Sequence, residues 1–128
     1  MNAQVPHHDF NVKRSALAEI AADKRLGRSE TRVLLHMIAN CELFIHSSGV
    51  EDEFHRSDLS FLQPGTYASF ISSGTRDDIR RDLEFVSANS VTNQLTILLE
   101  AGYIRRFNSI GMRTLFSFML KTSMFTID

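Results

Sequence analysis

The sequence has no long apolar run, a single cysteine, no excess of charge of either sign, and none of the short motifs that mark common enzymes. Each absence removes a class of protein. Nothing approaches the ~18 uninterrupted apolar residues that a membrane span needs. The opening stretch, MNAQVPHHDFNVKRS, holds no apolar segment of the kind a secretory signal requires, so export is not expected. Cys41 stands alone, which rules out an internal disulfide and agrees with a reducing, cytoplasmic location. There is no phosphate-cradling glycine loop, no Gly-x-Ser-x-Gly elbow and no His-Glu-x-x-His. His55 and Asp58 can share one turn, but two residues do not make an active site. No enzymatic activity and no cofactor are expected. Cys41, His46 and His55, with His7 and His8, lack the close ligand pairs of a structural zinc site, so no metal is expected.

The formal net charge is −1. That balance counts against a protein that coats nucleic acid indiscriminately, because neutralised phosphates supply most non-specific affinity. The charge is nevertheless segregated. Lys13, Arg14, Lys24, Arg25, Arg28 and Arg32 gather towards the N-terminus, and Arg105, Arg106 and Arg113 towards the C-terminus. Glu51, Asp52 and Glu53 lie between them.

What is present fits one soluble domain: 128 residues, 43% hydrophobic and 23% charged, are enough for a core without staples. Residues 1–11 are polar and patternless and read as a mobile arm, leaving 12–128 as a single domain. Val12 to Leu26 reads as a helix with Leu17, Ile20, Ala21 and Lys24 along one side, ended by Gly27. Ser29 then caps a second helix that runs to Ile45, with Val33, Leu34, Met37, Ile38 and Cys41 on a buried face. Residues 46–74 carry no sustained period. Pro64-Gly65 is a turn signal and Thr66–Ile71 a short strand, so this part is an irregular segment or a partner-binding insertion.

The last third is better patterned. Thr75 is a good N-cap, with Asp77 and Asp78 in the first turn where the helix dipole favours acids, and Ile79, Leu83 and Val86 form one stripe. Ser87 caps a further helix whose Val91, Leu95, Leu98 and Leu99 face inward. Gly102 stops it as a C′ glycine. YIRRF and MRTLFSFM then flank NSIG as two antiparallel strands around a tight turn.

The run DDIRRDLEFVSANSVTNQLTILLEAGYIRR resembles winged-helix bacterial regulators. Its closing LLEAGYIRR is similar to the end of the recognition helix in the MarR and catabolite-activator-type families and in plasmid replication initiators. The resemblance covers roughly residues 75–119 and implies a fold class that is mainly α with a small β-hairpin, a winged helix-turn-helix. Many such domains place glycine in the turn between the two helices; here the turn reads Glu84-Phe85-Val86.

On that reading the capped helix presents Ser87, Asn89, Ser90, Thr92, Asn93 and Thr96 to DNA. Asparagine can pair bidentately with adenine, and Ser90 at the helix start can meet a phosphate. With no arginine on this face, a guanine-centred code is not favoured. Arg105, Arg106 and Arg113 supply positive charge from the hairpin, and Arg76, Arg80 and Arg81 from the preceding helix. The plainer alternative is a solvated polar face, with these last arginines paired to Asp77, Asp78 and Asp82. Phe116, Phe118, Met119, Met124 and Phe125 either complete the core or, with Leu17 and Ile20, form a dimer seam. The expected function is sequence-specific binding of double-stranded DNA by a small homodimeric transcriptional regulator. The alternatives are a plasmid or phage replication or partition factor, and an adaptor that grips a protein through residues 46–74.

Overall fold

The structure is a computed structural model that describes residues 9–47, 52, 54–55, 65–74, 76–85, 87–107 and 116–127. The elements run β1 (Phe10–Val12), α1 (Arg14–Ala22), α2 (Arg28–Ala39), β2 (Cys41–His46), β3 (Tyr67–Gly74), α3 (Arg76–Asp82), α4 (Ala88–Glu100), β4 (Ile104–Phe107) and β5 (Phe116–Leu120). A 3-10 turn (Thr122–Met124) and β6 (Phe125–Ile127) complete the chain. The expected fold class, a mainly α winged helix-turn-helix with one small hairpin, is therefore corrected. Among the described residues the protein is mixed α/β, with four α-helices and six strands in two antiparallel sheets.

The correction has a local cause. The second helix does not reach Ile45; it stops at Ala39, where the Asn40 side chain turns back to donate to the His36 carbonyl. From Cys41 the pattern becomes alternating, with Glu42 and Phe44 exposed between half-buried Cys41, Leu43 and Ile45. That alternation suits a pleated strand, and β3 satisfies its backbone from Cys41↔Ser72 to His46↔Tyr67. The start of α2 also differs from expectation. Gly27 rather than Ser29 is the N-cap, and the Glu30 carboxylate accepts from the Gly27 amide at 3.3 Å.

The larger sheet has the order β2-β3-β5-β4. Register carries Phe70, Leu120 and Ile104 across it in one row, and Ile71, Met119 and Arg105 in the next. Successive residues of a strand face opposite sides. The first row joins the main core with Ala16 and Ile20 of α1, Val33, Leu34 and Met37 of α2, and Val91, Leu95 and Leu98 of α4. The second row makes a smaller cluster with Phe54 on the other face. Each fully buried aliphatic side chain of α4 contributes about 1.5–3 kcal/mol of transfer energy.

Phe10 and Asn11, within the expected N-terminal arm, are paired as β1 with β6, and the Phe10 ring stands edge-on to Phe70 at 5.1 Å. Phe70 in turn stacks on Phe125 at 4.0 Å. Phe118, Met124, Phe125 and Ile20 are all buried in the main core and Met119 in the smaller cluster, so these residues complete the chain's own core rather than forming an outer seam. Leu17 is 40% exposed. The side chain of Phe116 lies outside the described residues.

Candidate nucleic-acid interface

The helix α4 is defined at both ends by its own sequence. Ser87 is extended, at φ −149° and ψ 158°, and its side chain accepts from the Ser90 amide at 3.4 Å. At the other end Tyr103 donates to the Leu98 carbonyl and Gly102 to that of Leu99, both at 3.2 Å, with Gly102 at φ +84°. This paired arrangement needs a left-handed residue at Gly102, which glycine adopts without a Cβ penalty.

The preceding turn closes the same way without a glycine. Phe85 donates to the Arg80 carbonyl at 2.9 Å and Glu84 to that of Arg81 at 3.3 Å, and Glu84 takes φ +58°. Helix α2 braces this strained turn. Arg32 donates to the Leu83 carbonyl at 3.0 Å and lies 5.4 Å from the Phe85 ring centre, and Nε2 of His36 is 3.1 Å from the Asp82 carboxylate. The basic side chain of Arg32 is thus engaged at the α3–α4 turn.

With Val91, Leu95 and Leu98 buried, α4 leaves Asn89, Asn93 and Thr96 exposed and Ser90 and Thr92 half-buried. Asn89 and Asn93 lie four positions apart, on one face. The Thr96 hydroxyl donates to the Thr92 carbonyl at 2.9 Å, and the Thr92 hydroxyl accepts from Arg76 at 2.7 Å. Ser87 is half-buried and serves as the cap. Glu100 is exposed at the far end, so the helix's N-terminal half is the part suited to a polyanion.

The arginines sort into different roles. Arg80 pairs with Asp77 at 3.4 Å, and Arg81 with Asp78 at 3.0 Å and Asp82 at 3.7 Å. Arg105 donates to Asp52 at 2.7 Å and covers the buried Phe54 ring at 4.2 Å. Strand alternation puts Arg105 on the sheet face away from α4 and Arg106 on the face towards it, opposite Phe118. No hydrogen bond or ion pair holds Arg106 among the described residues, and it is exposed. Arg113 lies outside the described residues. The structure therefore brings Thr92, Thr96 and Arg106 to one cleft, leaves Asn89 and Asn93 exposed on the same helix, and separates Arg105 from them. Arg76, which spacing along α3 did not distinguish from Arg80 and Arg81, joins that side through Thr92. A contact between positions 76 and 92 leaves no signal in local periodicity, whereas the division of Arg105 from Arg106 follows from the two-residue period of a strand.

Several other polar side chains have structural partners. His46 Nε2 lies 2.8 Å from the Ser69 hydroxyl, and His55 Nδ1 lies 3.1 Å from Asp52. Burial pushes the Cys41 thiol up to about 11, and it donates to the Ile38 carbonyl. Among the described residues no helix is long and apolar enough to cross a membrane. No protein-family model, curated protein or solved structure matches the chain.

Proposed function

We propose that this protein binds specific sequences of double-stranded DNA, with the N-terminal half of α4 in the major groove, and acts as a small transcriptional regulator. The observation that carries the reading is the exposed pair Asn89 and Asn93 on a helix whose opposite side is buried, with Arg106, held by no hydrogen bond or ion pair among the described residues, at the cleft beside the same helix. The amide side chains have the donor and acceptor pattern that adenine presents in the major groove, and Arg106 has the charge for the backbone. The resemblance of residues 75–119 to bacterial regulators supports the same reading. A net charge of −1, with Arg80, Arg81 and Arg105 tied to carboxylates, implies weak affinity for random sequence.

The experiment is selection of bound duplexes from a random library near physiological salt, followed by sequencing. An enriched inverted repeat indicates a dimeric reader, and its half-site spacing measures the distance between the two α4 helices. Tandem enriched sites indicate a replication or partition factor. A folded protein that enriches no sequence overturns the reading in favour of a protein-binding adaptor.

A further inference from the structure

Both ends of α4 are tied to the first two helices. Just before it, Arg32 of α2 donates to the Leu83 carbonyl and covers the Phe85 ring. Just after it, Tyr103 donates to Asp23 at the end of α1. The chain from Asp23 to Arg32 therefore follows the length of α4, and α2 packs against that helix. Arg28 lies between the two anchors, one helical turn from Arg32 and on the same face of α2.

The two flanks of α4 have different neighbours. Thr92, Leu95, Thr96 and Leu99 line the cleft against β4 and β5, where Arg106 stands. Ser90, Gln94 and Leu98 follow one another at spacings of four on the other flank, where Leu98 and the Gln94 side-chain oxygen are buried. The exposed Asn89 and Asn93 lie between the flanks. The helix α2 thus borders this exposed face on the side away from Arg106.

Arg28 is exposed, and among the described residues no hydrogen bond, ion pair or ring contact engages it. The acids nearest in the chain are committed elsewhere. Glu30 accepts from the Gly27 amide, and Asp23 takes hydrogen bonds from Arg25 and Tyr103. Arg28 also occupies the first turn of α2, where the helix dipole disfavours a cation. A cation placed against the dipole, with no acid of its own, is suited to an anion outside the molecule.

The major groove is bordered by a sugar–phosphate backbone on each side, and arginine forks match phosphate oxygens. We infer that Arg28 contacts a backbone phosphate on the strand opposite the one that Arg106 meets. The two arginines then straddle α4 and centre it in the groove. The inference rests on the duplex-binding reading above, and it adds α2 to the surface that meets the duplex.

The test uses the duplex recovered by selection, with single neutral methylphosphonate linkages placed in turn along each strand. Wild type, Arg28→Gln, Arg28→Lys, Arg106→Gln and Lys24→Gln are compared, with circular dichroism to confirm that each is folded. Lys24 is exposed beside the Tyr103 anchor, at the far end of α4, and controls for net charge alone. Arg28→Gln is expected to weaken binding about fivefold near physiological salt, on preferred and random duplex alike. It also flattens the slope of log affinity against log salt by about one unit, whereas Arg28→Lys keeps the slope. Lys24→Gln stays within about twofold of wild type, because salt screens a charge that touches no phosphate. One linkage per half-site weakens wild type and leaves Arg28→Gln unaffected. It lies across the groove from the linkage to which Arg106→Gln is indifferent.

Stability moves the other way. Arg28→Gln removes a cation from the start of α2 and is expected to raise the melting temperature by about 1–4 °C. A side chain that merely supports the fold lowers affinity and melting temperature together, and that result overturns the inference. Equal losses of affinity from Arg28→Gln and Lys24→Gln, or identical methylphosphonate profiles for wild type and Arg28→Gln, overturn it while leaving duplex binding in place. A wild type that binds no selected duplex overturns both readings.

Discussion

The Tyr103 hydroxyl donates a 2.7 Å hydrogen bond to the Asp23 carboxylate, eighty positions away in the chain. Asp23 ends α1, and Tyr103 follows the glycine that stops α4, so this bond fastens the first helix to the junction of α4 and β4. Asp23 also takes two side-chain hydrogen bonds from Arg25, at 3.0 and 2.7 Å. The Arg25 side chain is the main reason its carboxyl is held well below the usual range, with Tyr103 second. Burial, then Asp23, pushes the Tyr103 phenol up to about 12.

Tyr103→Phe is therefore expected to lower the melting temperature by several degrees at neutral pH, with a pH signature. An unfolded phenol ionises near pH 10. Because the folded value is raised to about 12, the contribution is complete below the unfolded value and is lost as pH rises towards and through the folded one. Asp23 has the opposite sign. Its folded value is depressed, so its contribution is complete above about pH 4 and disappears as the pH falls further. Urea denaturation of wild type and Tyr103→Phe across pH should show the difference between them shrinking at both extremes. A pH-independent difference would falsify the linkage.

Glu84 occupies the left-handed position of the α3–α4 turn at φ +58°. A non-glycine residue there costs about 1–2 kcal/mol, partly offset in a glycine variant by the greater freedom of the unfolded chain. Glu84→Gly is expected to stabilise the protein by about 0.5–1 kcal/mol, and Glu84→Asn by less. Chemical denaturation measures it, and a destabilised glycine variant would contradict the left-handed turn.

Arg105 and Arg106 are neighbours on opposite faces of β4. Arg105→Gln breaks the 2.7 Å pair with Asp52 and uncovers Phe54, so it should lower stability slightly and leave the salt dependence of duplex binding unchanged. The exposed pair itself is worth no more than about 1 kcal/mol. Equal losses of duplex affinity from Arg105→Gln and Arg106→Gln would show that both strand faces meet DNA.

Asn93→Ala should remove sequence preference rather than overall affinity, at a cost of about 1–3 kcal/mol on the preferred site and little on random duplex. Competition binding with both duplexes reads this directly. A loss of the same size on both would make Asn93 a backbone contact.

Phe10 is half-buried, yet it stands edge-on to Phe70 at 5.1 Å and to Phe125 at 5.9 Å. Phe10→Ala is expected to destabilise by about 1.5–3 kcal/mol, from lost burial and the aromatic pairs. Thermal unfolding with no shift would mean that β1 adds nothing to the core.

The sequence by itself determined what is local in this protein. Ser87 and Gly102 bound α4, and Val91, Leu95 and Leu98 select its buried side, because caps and helical periodicity act within a few residues. That was enough to bring Asn89, Asn93 and Thr96 to the exposed side. The strands were less legible. Cys41 to Ile45 continues the apolar spacing of α2 as well as it alternates, and pairing with β3 across a long segment decided between the two. Phe10 and Phe125 carry no turn signal that joins them, because their strands meet from opposite ends of the chain. Tertiary structure also divided the arginines. Asp52 reaches Arg105 from the middle of the sequence, Leu83 draws in Arg32, and Thr92 draws in Arg76. A cation's partner is set by which surfaces the packed core brings together, and no spacing along the chain encodes it.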